Sequence, residues 1–489
     1  MPYLADLEVA GIPTVLLSYI EEREKIKHDA TLYGVPKLRF VEASRSSLGG
    51  VEEAIKVMPL LLDALTKPLT EEEKRGGGRW APTQSRILFE GTLLEAEEFY
   101  NQTENIPGIL NAPYSIYTDG MPIVIPTEER VEAMLKGTSH KPDELITLQK
   151  DIHSRGVGNI AEGFTRKKGE VVQFMPMFRT ATVEQVAVNA VMAGCKPEYF
   201  PVVLAMAESG GGTADGRGWG GAFMLSGPIY KEIGMNVSYG RFGPGNPPNK
   251  TIGRAGSLMN RNLGGYRETI TGIGVGMSYG NPITNGGFIV AEYAEGLPQG
   301  WKGLNEELGF GKDESVLMTF SPSHWGLGQE HMPGVYRSLQ RTGHGAIARY
   351  LGVKGKPGPH NYLEYLTRDM WACRDGGFTL VMPPQIAQDM YDYGFKSKEA
   401  IYEYLWKKSF EPLKDFRMRG RADILTNGWT GREKRSGKPW KELPDDYMVP
   451  AGGDDPNQDY LIIVCDGQET ACDRLGGGHG QGFSIDVWR

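Results

Sequence analysis

The sequence predicts an α/β fold in several domains: Rossmann-like parallel β–α–β units, interrupted by a long glycine-rich segment of irregular or β structure. Three observations predict it. Residues 12–41 run apolar, then charged with helical spacing, then apolar again across short joints, which is the pattern of a β–α–β unit. Tyr460–Cys465 (YLIIVC) is a continuous apolar run near the far end, as expected of a strand buried on both faces. Between them, residues 208–287 hold 22 of the chain's 66 glycines. They are interleaved with Trp219, Phe223, Met235, Tyr239 and Leu258, too many large side chains for a flexible linker.

In order along the chain, Ile12–Ser18 reads as a buried strand, Ile20–Tyr33 as a helix stopped by Gly34, and Leu38–Val41 as the next strand. Val51–Leu65 reads as a helix that Pro59 kinks. The charged and glycine-rich stretch 70–79 marks a boundary. Residues 80–180 mix helical signals at Leu93–Tyr100 and Glu128–Lys136 with proline-rich turns. Thr182–Ala193 is the clearest helix: Thr182 caps it, Glu184 and Gln185 occupy its first turn, and Gly194 ends it. Strands follow at Val316–Phe320 and Phe378–Met382, and helices at Val335–Tyr350, Pro384–Tyr393 and Lys398–Lys408. Residues 411–458 are charged and turn-rich, and no repeat of fixed period is present. The resulting division is 1–70, an N-terminal βαβ portion; 71–180, an irregular insertion; 181–350, a Gly/Asn-rich pocket domain; and 351–489, a C-terminal α/β portion.

At 489 residues the chain exceeds what one core supports. A net charge of −8 argues against a nucleic-acid or anionic-membrane partner, since either calls for a basic face. No apolar run approaches the ~20 residues that span a bilayer, and the amino terminus lacks a signal-peptide pattern. Four cysteines are too few for a disulfide scaffold. A reduced, cytoplasmic protein is therefore expected.

In the glycine-rich segment, amide and guanidinium groups supply directional donors, and glycine lets the backbone approach a ligand. Asn236, Asn249, Arg254, Asn260 and Asn262 are accordingly the candidate substrate-binding residues, for a small polar or anionic molecule. Turn-rich structure without a ligand is the alternative. Cys195, Cys465 and Cys472 are candidate reactive thiols, although Cys195 follows a helix C-terminus, which disfavours a thiolate. Cys465 and Cys472 stand in a C-x6-C spacing unlike a thioredoxin pair. Residues 323–344 gather His324, Glu330, His331 and His344. Glu330 and His331 are candidates for acid and base, and His324, His331 and His344 for ligation of a divalent metal. Ordinary structural roles remain open for each. Gly156-Val157-Gly158 and Gly272/Gly274/Gly276 lack the third glycine that G-x-G-x-x-G requires, and no Walker A loop is present, so no nucleotide cofactor is expected.

Three strings carry a family resemblance: LEVAGIPTVLLSY, AVNAVMAGCKPEYFPVVLAMAE and SGPIYKEIGMNVSYGRFGPGNPPNKTIGRAGSLMNRNLGG. They resemble the bacterial family named for a selenocysteine–Gly–Ser–Cys motif, in which some members carry cysteine for selenocysteine. The similarity covers most of 4–65, 182–295 and 378–489. It implies an α/β fold and thiol or selenol redox chemistry. The family's reactive loop precedes the helix at which this chain begins, so the motif has no counterpart here. The resemblance thus implies either a different chemistry or a separate small subunit supplying the N-terminal strands and the C-G-S-C-like loop. The expected function is a thiol- or selenol-linked oxidoreductase large subunit. A metal- or acid/base-assisted lyase, hydratase or hydrolase is the first alternative, and a non-catalytic pocket-forming subunit the second.

Overall fold

A computed structural model describes residues 2–19, 23–43, 51–75, 85–105, 113–153, 165–174, 177–210, 222–241, 245–265, 288–320, 330–331, 363, 377–417, 432–450, 453–466, 472–476 and 478–489. The main elements are α1 (Pro2–Val9), β1 (Leu16–Tyr19), α2 (Arg23–Leu32), β2 (Phe40–Ala43), α3 (Val51–Thr66), α4 (Leu93–Tyr100), α5 (Glu128–Leu135), α6 (Val183–Ala193) and α7 (Phe200–Glu208). They continue with β3 (Ala222–Ser226), α8 (Pro247–Asn262), β4 (Phe288–Ala291), α9 (Leu304–Glu307), β5 (Val316–Phe320) and β6 (Glu330–His331). The C-terminal part adds β7 (Phe378–Met382), α10 (Pro384–Tyr393), α11 (Lys398–Lys408), β8 (Tyr460–Val464), β9 (Asp473–Gly476) and β10 (Gln481–Ser484). Mixed helices and strands make the fold α/β, as expected.

Two four-stranded sheets form the centre, in the orders β10–β5–β3–β4 and β6–β9–β7–β8. Neither is the all-parallel sheet that the β–α–β reading predicts. In each, one pairing is parallel (β3 with β4, β7 with β8) and the others are antiparallel. The two halves of the chain build their sheets identically. The first strand lies parallel to the second and antiparallel to the third, and the fourth crosses to the other half's sheet. Thus β6 pairs with β9, and β10 pairs with β5. A repeat absent from the sequence is present in the topology.

Strand alternation divides the core into three layers of contact. Phe223, Leu225, Ile289, Ala291, Leu317 and Phe483 pack with residues of α6, α7 and α8. The residues between them, Met224, Val290 and Met318, meet Val381, Leu461 and Ile463 of the second sheet. Leu380, Met382, Ile462 and Val464 point the other way, onto Ile386, Met390, Ile401 and Leu405 of α10 and α11. Helix, sheet, sheet and helix therefore stack in four layers. Each buried Val, Leu or Ile contributes roughly 1.5–3 kcal/mol to that stack.

α6 forms as its sequence dictates. Thr182 accepts from the Gln185 N–H, the Gln185 side chain returns to the Thr182 N–H, and Gly194 ends the helix at φ 84°. α8 corrects the expectation of irregular or β structure for this part of the glycine-rich segment. It is a sixteen-residue helix with proline in its first turn, where the missing N–H costs nothing. In the N-terminal unit, β1 and β2 are parallel, but Leu17 is 45% exposed, so β1 is not the fully buried strand its apolar run predicts. No helix among the described residues is long and apolar enough to cross a membrane.

Candidate functional site

The carboxyl ends of β4 and β8, one from each sheet, meet at the centre of the molecule. The Tyr293 N–H donates to the Val464 carbonyl at 2.7 Å, and the Cys465 thiol reaches the Ala291 carbonyl at 3.1 Å. Carboxyl ends of parallel strands are where α/β folds hold ligands. Two polar assemblies flank this meeting point.

The first comes from the glycine-rich segment. Asn249, in the first turn of α8, accepts from the Asn236 N–H and donates to its carbonyl, both at 2.9 Å. Asn236 in turn donates to Tyr239 and Asn246. The loop so fixed places Ser238 2.9 Å from the Asp466 carboxylate and Arg241 3.0 Å from the Asp466 carbonyl. It thereby ties the first half to the residue that follows Cys465.

The second assembly is charged and sealed from solvent. Glu292, just past β4, accepts from Lys398 at 2.8 Å, Ser226 at 3.1 Å and the Leu304 N–H at 2.6 Å. Lys398, the first residue of α11, also donates to Glu307 at 2.9 Å. Tyr402, one turn along α11, donates to Glu307 at 2.9 Å and accepts from the Ile462 N–H. His479, in the glycine-rich connection from β9 to β10, stands 3.7 Å from Glu307, an ion-pair distance rather than a hydrogen bond. Its Nδ1 is buried without a partner. Burial alone would raise the Glu307 carboxyl, but Lys398 and His479 overcome it and hold it at about 2. Burial alone would lower the Lys398 ammonium, and the two carboxylates instead raise it above its ordinary value. Burial, with Glu307 beside it, keeps the Tyr402 phenol protonated well beyond its usual range.

The thiols expected to be reactive are all buried. Burial raises the Cys195 thiol to about 12, against a hydrogen bond with Thr251. Its thiolate is therefore as scarce as its place after a helix end implies. Cys465 faces the second sheet's partner and Cys472 faces α10 and α11. They flank β7 on opposite sides, a separation of about 10 Å across two strand spacings, beyond disulfide reach. Glu330 and His331 form β6, opposite Arg474 and Asp473. His324 and His344 lie outside the described residues. Among the described residues, no group of three or more His, Cys, Asp or Glu is placed to hold a metal ion.

Most of the predicted binding residues have protein partners. Arg254 grips Asp119 through two 2.9 Å hydrogen bonds and donates to the Met121 and Pro122 carbonyls. Asn262 donates to Asn189 of α6 at 2.9 Å. Asn260 differs: it is 4% exposed and its Oδ1 has no partner. Glu208, the last residue of α7, is buried. It accepts from the Gln149 N–H and the Trp488 indole, and burial raises its carboxyl. The charged assembly escaped the sequence reading entirely. Its members are ordinary surface residue types, and the only local signal was the glycine run around His479.

Comparison with family models, curated proteins and solved structures finds no match to this chain.

Proposed function

We propose that this chain is the pocket-bearing large subunit of a thiol- or selenol-linked oxidoreductase. Its substrate is a small polar or anionic molecule, and the reactive thiol or selenol comes from a small partner chain. The N-terminal unit carries this reading. β1 and β2 form a two-stranded parallel sheet, and beside it Leu7, Val9, Ile12 and Leu17 are exposed, as are Ile55, Met58, Leu60, Leu62 and Leu65 of α3. Parallel sheets require cover on both faces and more than two strands, and a concentration of exposed apolar side chains marks a contact surface. A partner that adds strands here would turn β1 and β2 into part of a Rossmann-like sheet. The buried state of Cys195, Cys465 and Cys472 supports a reactive group from elsewhere, in a reducing, cytoplasmic setting.

Native mass spectrometry of the protein isolated from its own cells tests the proposal. The expected result is a complex with a small chain bearing selenocysteine or a Cys-Gly-Ser-Cys loop, whose activity is lost on alkylation. An active, alkylation-resistant chain without partner refutes it.

A second reading, acid/base-assisted addition, elimination or hydrolysis, is favoured by one observation. The Nε2 of His479 faces Glu307 and its ring meets Tyr402, while its Nδ1 is buried without a partner; a ring oriented by a carboxylate through one nitrogen and open at the other is the arrangement of a proton-transfer group. His479→Asn separates the readings, because it abolishes turnover only under the second.

A further inference from the structure

α8 runs from the N-terminal unit to the carboxyl end of β8, and specific contacts hold it at both ends. At its C-terminal end, the Met177 N–H donates to the Gly264 carbonyl at 3.0 Å, two residues past the helix. The Met177 side chain completes the small N-terminal core, whose other buried members are Ala5, Ala30, Tyr33 and Val35. The fit there is close. A Cβ at Gly265 would lie 2.7 Å from the Met177 Cγ, and Gly265 takes φ 76°, so Met177 bears directly on backbone. Phe178, next along the chain, is held at φ 55°, the one positive value for a non-glycine among the described residues. Such a conformation persists where the surroundings enforce it, so this end of α8 has no slack.

At its N-terminal end, Asn249 is 2% exposed, and its amide grips the Asn236 backbone at both N–H and carbonyl. Asn236 orders the loop that follows. Its Oδ1 accepts from the Ser238 N–H at 2.8 Å, and its Nδ2 donates to the Tyr239 carbonyl at 2.7 Å. Ser238 and Arg241 of that loop bind Asp466. Between its ends α8 runs sixteen residues, about 24 Å, with Ile252, Ala255, Leu258 and Met259 in the main core. A helix packed in this way shifts against its neighbours as a unit.

Coupling through such a rod requires an element with two states at one end, and the N-terminal unit is one. Its sheet has two strands, too few for independent stability, so added strands tighten it. We propose that α8 couples the order of this unit to the candidate site: a partner completing the sheet fixes Met177, and α8 passes the constraint to residues 236–241 and so to Asp466, next to Cys465. The proposal rests on the reading above only for the docking of a partner on the N-terminal unit. The coupling itself belongs to this chain and is measurable without the partner.

Hydrogen exchange of the full chain tests it. The Asn236, Ser238 and Arg241 amides are all hydrogen-bonded, so their protection reports the order of the loop. Met177→Ala should speed exchange at residues 236–241 at least about fivefold, the lower end of ordinary coupling between sites, and leave residues 398–408 unchanged. Linkage is reciprocal, so Asn249→Ala, which releases the loop from α8, should speed exchange at residues 26–35. Val35→Ala, which loosens the N-terminal core from within, should act on the loop as Met177→Ala does, and it serves where Met177→Ala does not fold. A wild-type rate at 236–241 while residues 26–35 exchange faster overturns the coupling and leaves the partner reading standing. An equal rise at 398–408, which means general loosening, also overturns it, as does a rise in one direction without its reciprocal.

Discussion

Lys398→Met removes the ammonium that stands between Glu292 and Glu307 and replaces it with an uncharged side chain of similar reach. Both carboxylates are at most 5% exposed, so neither can turn to water. Removing one partner of a buried pair costs about 3–5 kcal/mol, and here one cation serves two anions, so the upper end applies. The pH dependence has a definite sign. Glu307 is held at about 2 against an ordinary 4.5, so its contribution is complete above 4.5 and is lost as pH falls towards 2. Lys398 is raised above 10.5, so its contribution is complete below 10.5 and is lost only as pH rises through the raised value. Wild-type stabilisation by this assembly is therefore flat between those limits. In the variant the uncompensated carboxylates take up protons, so its deficit is largest at neutral pH and shrinks towards pH 4. Urea denaturation followed by tryptophan fluorescence at both pH values measures this. Adding Glu292→Gln and Glu307→Gln to Lys398→Met should restore most of the loss. A single variant within about 1 kcal/mol of wild type at pH 7, far short of a broken buried pair, would refute the reasoning. So would a deficit indifferent to acid.

Arg254→Ala should lower stability by about 1.5–3 kcal/mol, as expected for hydrogen bonds to a charged partner. The loss should couple to Asp119→Ala in a double-mutant cycle, and strict additivity would show that the pair does not interact. Gly480→Ala should destabilise by about 1–3 kcal/mol or more, because a Cβ there falls 1.6 Å from the Thr319 carbonyl oxygen; a wild-type melting curve would contradict it. Cys195, held at about 12, exposes a thiolate fraction of about one in 100,000 at pH 7. Ellman's reagent should therefore label it in urea and leave it untouched in the native chain.

Some of this architecture is legible in one dimension. Thr182, Gln185 and Gly194 specify α6 at both ends, and the unbroken apolar run of β8 and the largely apolar, threonine-bearing runs of β5 and β7 read as strands. What could not be read is whatever depends on distant pairing. β6 is described only at Glu330 and His331, and β10 is a four-residue strand containing a glycine, so their exchange between sheets is invisible locally. Gly253, Gly256 and two prolines disguise α8, because their low helix propensity is overridden by the burial of Ile252, Ala255 and Met259. Lys398 and Glu307 look like solvated helix charges until the fold brings residues 292, 307, 398 and 479 together. Arg254 reads in the sequence as a substrate-binding group, whereas in the fold it grips Asp119, 135 positions away, through two hydrogen bonds.

The crossing of β6 and β10 constrains how this molecule can be made. Until residues 481–484 are synthesised, β5 offers a bare backbone edge to any neighbouring nascent chain, a hazard that the pairing of β10 removes. Two identical half-length polypeptides that each lent a last strand to the other would have formed a closed symmetrical pair. Joining them end to end preserves every one of those pairings, and a tandem gene would inherit the interlock intact.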